Sequence, residues 1–152
     1  MKPYTVEIEI DLSRDKVLEL FDNVENLYKW QAGLLSFEHL SGETGQVAAQ
    51  SKMSFLSNGN RIELTETITK RNLPDEFDGT YEWDGGKNTL QNRFIAIAPE
   101  KTKWESTCGY EFKTLFMKLM GFFCAGKFRE QNVIFMQNFK KFCASGYDVR
   151  DD

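Results

Sequence analysis

Glu66 falls at the two-residue spacing of Ile62, Leu64 and Ile68, opposite the polar series Arg61, Glu63, Thr65, Thr67 and Thr69. In an extended segment this spacing turns its carboxylate toward the apolar side. An unpaired carboxylate there is costly, and its affinity for a proton rises. Such a group anchors a ligand or serves as a general base. A carboxylate at a sheet rim, paired with a neighbouring cation or with water, would account for the same spacing. Two carboxamides break apolar patterns in the same way. Asn92 shares the parity of Leu90 and Phe94, and Asn132 sits inside a helical stripe of phenylalanines. Each can orient a ligand's polar group or satisfy a neighbouring backbone group, but a purely structural core would place an apolar residue at 132. A cavity with a few convergent polar groups explains all three.

Other chemistries find little support. The chain has one histidine, so any Ser–His–Asp or Cys–His device depends on His39. That residue stands at a strand end beside a turn, where an exposed or packed imidazole is sufficient explanation. Three cysteines and one histidine are scattered in no zinc-binding spacing. Gly85-Gly86 and Gly42–Gly45 read as hairpin turns, because neither opens a helix after a strand as a phosphate loop would. No cofactor and no metal is expected.

The elements that must carry these residues follow from periodicity. Tyr4, Val6, Ile8 and Ile10 alternate with polar residues as a first strand, and Ser13 caps a short helix buried through Val17, Leu18, Leu20 and Phe21. A second short helix over 24–31 carries Leu27 and Trp30, and Gly33 ends it. From there to Phe112 the pattern is strand and turn. Leu35, Phe37 and His39 form one strand; Val47, Ala49, Ser51, Met53 and Phe55 form the next. Ser57-Asn58-Gly59-Asn60 is a hairpin signal, since Asn-Gly tolerates positive φ. Phe77, Gly79, Tyr81 and Trp83 share a face, as do Leu90, Asn92, Phe94 and Ala96, and then Trp104, Ser106, Cys108, Tyr110 and Phe112. A long helix spans 115–145 and is firmest over 127–145. There Phe128, Asn132, Phe135, Phe139 and Phe142 lie within about 40° of one line. If that helix is continuous, Cys124 and Cys143 are roughly 28 Å apart, too far for a disulfide.

The expected class is α+β: seven antiparallel strands in a curved sheet, two short helices between strands 1 and 2, and a long C-terminal helix, all in one domain over 1–152. The net charge of −4 and the absence of a basic stripe argue against nucleic acid. No apolar run reaches the ~20 residues of a membrane span. The N-terminus enters Glu-bearing alternation and not a secretory leader, and the odd cysteine count suits reduced thiols, so a soluble cytoplasmic protein is expected.

The order of elements resembles the helix-grip fold of the SRPBCC superfamily, the START-like and polyketide-cyclase-like proteins, and in particular its small bacterial members. Ile10 through Trp30 resembles the family's opening. Glu66-Thr67-Ile68, Leu73-Pro74 and Gly79-Thr80-Tyr81-Glu82 are similar to its middle hairpin. Asn92-Arg93-Phe94 with Thr102-Lys103-Trp104 resembles its sixth and seventh strands, and Phe128-Arg129-Glu130-Gln131 with Phe139-Lys140-Lys141-Phe142 resembles its closing helix. The resemblance implies a cavity between sheet and helix that takes a hydrophobic or amphipathic small molecule. Fold alone licenses binding and not catalysis.

The expected pocket therefore has Glu66, Asn92 and Asn132 facing one space walled by Trp30, Tyr81, Trp83, Trp104, Tyr110, Phe128, Phe135 and Phe139. An alternative is a cyclase, hydratase or isomerase in which Glu66 moves a proton while Tyr81 or Asn92 polarises a carbonyl. A third alternative is an interaction module. The segment 115–123, apolar almost all round, reads as a flexible gate, as a membrane-touching or weak homodimer surface, or as a buried lead-in to the last helix.

Overall fold

The computed structural model describes residues 2–151. Seven antiparallel strands, β1 (Tyr4–Ile10), β2 (Leu34–Ser41), β3 (Gln50–Ser57), β4 (Asn60–Asn72), β5 (Glu76–Trp83), β6 (Gly86–Ala98) and β7 (Lys101–Phe112), form one sheet in the order β1-β7-β6-β5-β4-β3-β2. Every neighbouring pair except β1–β7 is a chain-sequential hairpin, as the turn residues require. Since β1 and β2 lie at opposite edges, the chain must cross between them. It does so through α1 (Arg14–Phe21) and α2 (Val24–Trp30).

Both short helices start on side-chain caps. The Ser13 hydroxyl accepts from the Lys16 N–H at 3.3 Å, and Asn23 Oδ1 accepts from the Glu25 N–H at 3.0 Å. Buried Asn26 donates through Nδ2 to the Leu20 carbonyl at 3.1 Å, tying α2 to α1.

The last helical stretch is divided. α3 covers Leu115–Phe123 and α4 covers Ala125–Ser145, with Cys124 as the cap between them. The expected continuous helix thus breaks at Cys124, and both thiols are free. Thr114 opens α3 by accepting from the Met117 N–H at 3.0 Å, and Gly146 closes α4 with a left-handed φ of 73°.

The start of β3 also differs from the periodic reading. Residues 46–49 form a turn in which Ala48 has φ 74°, and Val47 is exposed. In β2 a bulge between Leu34 and Ser36 shifts the alternation, so Leu34 is buried and Leu35 exposed.

The core lies where α1, α2 and α4 meet β1, β6 and β7. Phe21, Trp30, Phe94, Trp104 and Phe139 form an interlocked set of rings. Most of these contacts are edge-to-face, which lets bulky rings fill space without facing like quadrupoles.

Candidate functional site

Between the concave face of the sheet and α3–α4 lies a two-lobed hollow. The inner lobe, about 280 Å³, is bordered by Trp30, Phe37, Ser51, Glu66, Ile68, Asn92, Trp104, Ser106 and Met136. The outer lobe, about 570 Å³, is bordered by Met53, Phe55, Leu64, Trp83, Asn88, Tyr110, Phe112, Met117, Gly121 and Phe128. Gln31, Tyr81, Leu90, Asn132 and Phe135 border both, so the lobes adjoin there. The strands deliver these residues by parity. Ile62, Leu64, Glu66 and Ile68 all turn inward from β4, and Trp104, Ser106, Tyr110 and Phe112 from β7.

Glu66 stands opposite Tyr81 in the β4–β5 register. Its accessible surface faces the hollow, while protein surrounds it elsewhere. That depth pushes its pKa up; the hydrogen bond with Tyr81 offsets part of the rise. Among the described residues no Lys or Arg forms an ion pair with it. The Tyr81 hydroxyl, buried beside a carboxylate, is driven well above the usual tyrosine range and stays a donor. The pair supplies a proton donor, Tyr81, where the lobes adjoin and a carboxyl group, Glu66, just inside the inner one.

At the inner lobe's outer edge, Arg71 holds two segments together. Its guanidinium donates to both Asp22 carboxylate oxygens, at 3.0 and 2.5 Å, and to the Gly45 carbonyl at 3.0 Å. The fork geometry fits a bidentate carboxylate and fixes the end of α1 against the 42–49 turn.

Several solved structures share this architecture. A protein of Thermus thermophilus matches with TM-score 0.77 at 16% identity, over 95% of this chain and 99% of that one. A START superfamily protein from Mycobacterium smegmatis matches with TM-score 0.71 at 13% identity, over 88% and 93%. Norcoclaurine synthase from Thalictrum flavum, solved with dopamine and hydroxybenzaldehyde, matches with TM-score 0.68 at 13% identity, over 93% and 85%. No protein-family model and no curated protein matches the sequence. The chain has the helix-grip fold that these structures share. At such identities, fold is what is shared.

Within this helix-grip frame the sequence-derived residues divide unevenly. Trp30, Glu66, Asn92 and Trp104 border the inner lobe, Trp83, Tyr110 and Phe128 the outer, and Tyr81, Asn132 and Phe135 both. Phe139 borders neither. It is fully buried against Phe21, Trp30 and Trp104, one turn of α4 deeper than the hollow.

Two of the polar candidates are already engaged by the protein. Asn92 Oδ1 accepts from Trp104 Nε1 at 3.0 Å, an indole that would otherwise be orphaned. Asn132 Nδ2 donates to the Tyr4 hydroxyl at 2.6 Å and lies 3.2 Å from Cys108 Sγ, pinning α4 to β1 and β7. Burial raises the pKa of Tyr4, Cys108 and Tyr110 alike, so this cluster stays neutral.

Gln31 and Asn88 also border the hollow and escaped the sequence reading. Trp30 Nε1, Gln31 Oε1 and Asn88 Oδ1 are buried without a protein partner. The parity of Asn88 with Leu90 and Asn92 was a usable signal; Gln31, just past the end of α2, offered none. Ser51 and Ser106 are buried on inward parities and were visible as such.

The segment 115–123 is not a buried lead-in. Leu115 is 84% exposed, Phe116 71%, Phe122 71% and Phe123 74%.

Proposed function

We propose that this protein binds an apolar or amphipathic small molecule in the hollow between its sheet and its last two helices. One observation carries this reading. The two lobes, about 280 and 570 Å³, have largely aromatic and aliphatic walls, into which the Glu66–Tyr81 pair brings a carboxyl and a hydroxyl group. A guest with an apolar body and one polar group placed against that pair fits such a lining. Asn92 and Asn132 act mainly by holding Trp104 and Tyr4 in place. Burying some 300 Å² of a guest at roughly 25 cal/mol per Å² yields several kcal/mol before ordering costs, adequate for micromolar affinity.

A second reading rests on Glu66 and Tyr81. A carboxyl group of raised pKa beside a hydroxyl donor suits proton transfer next to a carbonyl, as in a cyclase, hydratase or isomerase. The likeness to norcoclaurine synthase, solved with dopamine and hydroxybenzaldehyde, is compatible with either reading.

One experiment addresses both. Protein purified from its own host is examined by native mass spectrometry, and wild type and Glu66→Gln are titrated with the molecule that co-purifies. A bound molecule with micromolar affinity in both proteins, unchanged after incubation, supports binding. Conversion by the wild type alone supports catalysis. Finding no bound species, and no saturable uptake of an apolar fluorescent probe, would overturn both.

A further inference from the structure

On α3 the residues Leu115, Phe116, Leu119, Met120, Phe122 and Phe123 are all substantially exposed. At 100° per residue they cover an arc of roughly 160°. The opposite side, Met117 and Gly121, faces the hollow and Phe112. A helix turned so that its phenylalanines meet solvent has an apolar face awaiting an occupant.

Charge decides which occupant. Between residues 113 and 129 the sequence has four cations, Lys113, Lys118, Lys127 and Arg129, and no acid, in a chain of net charge −4. All four are exposed, and none is in an ion pair among the described residues, although lysines elsewhere pair freely. A two-fold dimer through this face would bring the same cations toward their own copies, which repels. An anionic surface would neutralise them. Among the described residues no helix is long and apolar enough to cross a membrane, so the geometry suits a helix lying in the interface plane, rings down and lysines at the headgroups.

We propose that α3, with the cations flanking it, docks this protein onto a bilayer surface carrying anionic phospholipid. What the hollow holds does not enter this proposal.

The test is flotation of the full chain with vesicles of phosphatidylcholine alone, and of phosphatidylcholine mixed with phosphatidylglycerol. The wild type should float with the mixed vesicles and release as salt rises. Phe122→Glu with Phe123→Glu, at positions that border no part of the hollow, should lower the partition at least about tenfold with unchanged circular dichroism. Lys118→Glu with Lys127→Glu should lower it by a similar factor. Failure to float with mixed vesicles overturns the proposal, as does flotation indifferent to the charge reversals. A wild-type dimer in sedimentation velocity that the double Glu variant makes monomeric would assign the face to a second copy instead.

Discussion

Glu66 bears on stability as well as on any ligand. Folding raises its pKa above the usual value of 4.5, chiefly through desolvation. The native state therefore holds this proton more tightly than the unfolded chain does. Stability from the group is complete below the unfolded value and is lost as pH climbs toward the folded one. Glutamine has nearly the same shape and carries no such penalty. The melting temperature of Glu66→Gln should therefore track wild type near about pH 4 and exceed it increasingly as pH rises from there. Thermal scans at a series of pH values measure the gap. An offset constant across that range would mean that Glu66 ionises as freely as an exposed carboxylate. Asn132 offers the contrasting lesson. Its position in a phenylalanine stripe marked it as unusual, but its amide is committed to Tyr4 and Cys108. The partners lie 128 and 24 residues away in the chain, and no local pattern announces them.

The same division between local and distant causes runs through the elements. Strands from β4 to β7 were legible because one face meets the hollow and the other meets solvent, so a period of two is written into the residue types. The break at Cys124 was not legible, since apolar residues continue through it and its cause is tertiary. Gly121 rests against the Phe112 ring so closely that a Cβ there would overlap it. This contact seats α3 on the end of β7. At Gly126, two residues past the break, a Cβ would meet no described neighbour within 4 Å. Alanine should therefore act with opposite sign at the two positions. Gly121→Ala should cost about 1–3 kcal/mol and speed hydrogen exchange across 115–123, leaving 130–142 protected. Gly126→Ala should stabilise by up to about 1 kcal/mol, by helix propensity alone. Denaturant melts and exchange mass spectrometry check both. Slower exchange across 115–123 in Gly121→Ala would mean that the ring moves aside without displacing the helix.

Across the whole molecule, α4 joins a solid end to a hollow end. Phe139 and Phe142 belong to the aromatic core with Trp30, Phe94 and Trp104, whereas Phe128 and Phe135 border the space beneath α3. The phenylalanine stripe revealed that one helix face is inward, but periodicity says nothing about what lies opposite. Filling is decided by α1 and α2, which cover one end of the sheet and supply Phe21 and Trp30 to it. Stability and binding should consequently separate along a single helix. Phe139→Ala removes a fully buried ring from among four aromatic neighbours and should cost about 3–5 kcal/mol. Phe135→Ala removes a half-buried ring that already borders open space, so little new cavity forms and the loss should be about 1–2 kcal/mol. Uptake of an apolar fluorescent probe should respond in the reverse order. The 135 variant enlarges the hollow at the junction of its lobes and loses a wall, changing affinity strongly. The 139 variant, in conditions where it stays folded, should bind nearly as the wild type does. Equal stability losses at the two positions would mean that the space under α3 closes around Phe135 in solution, leaving no room for a guest.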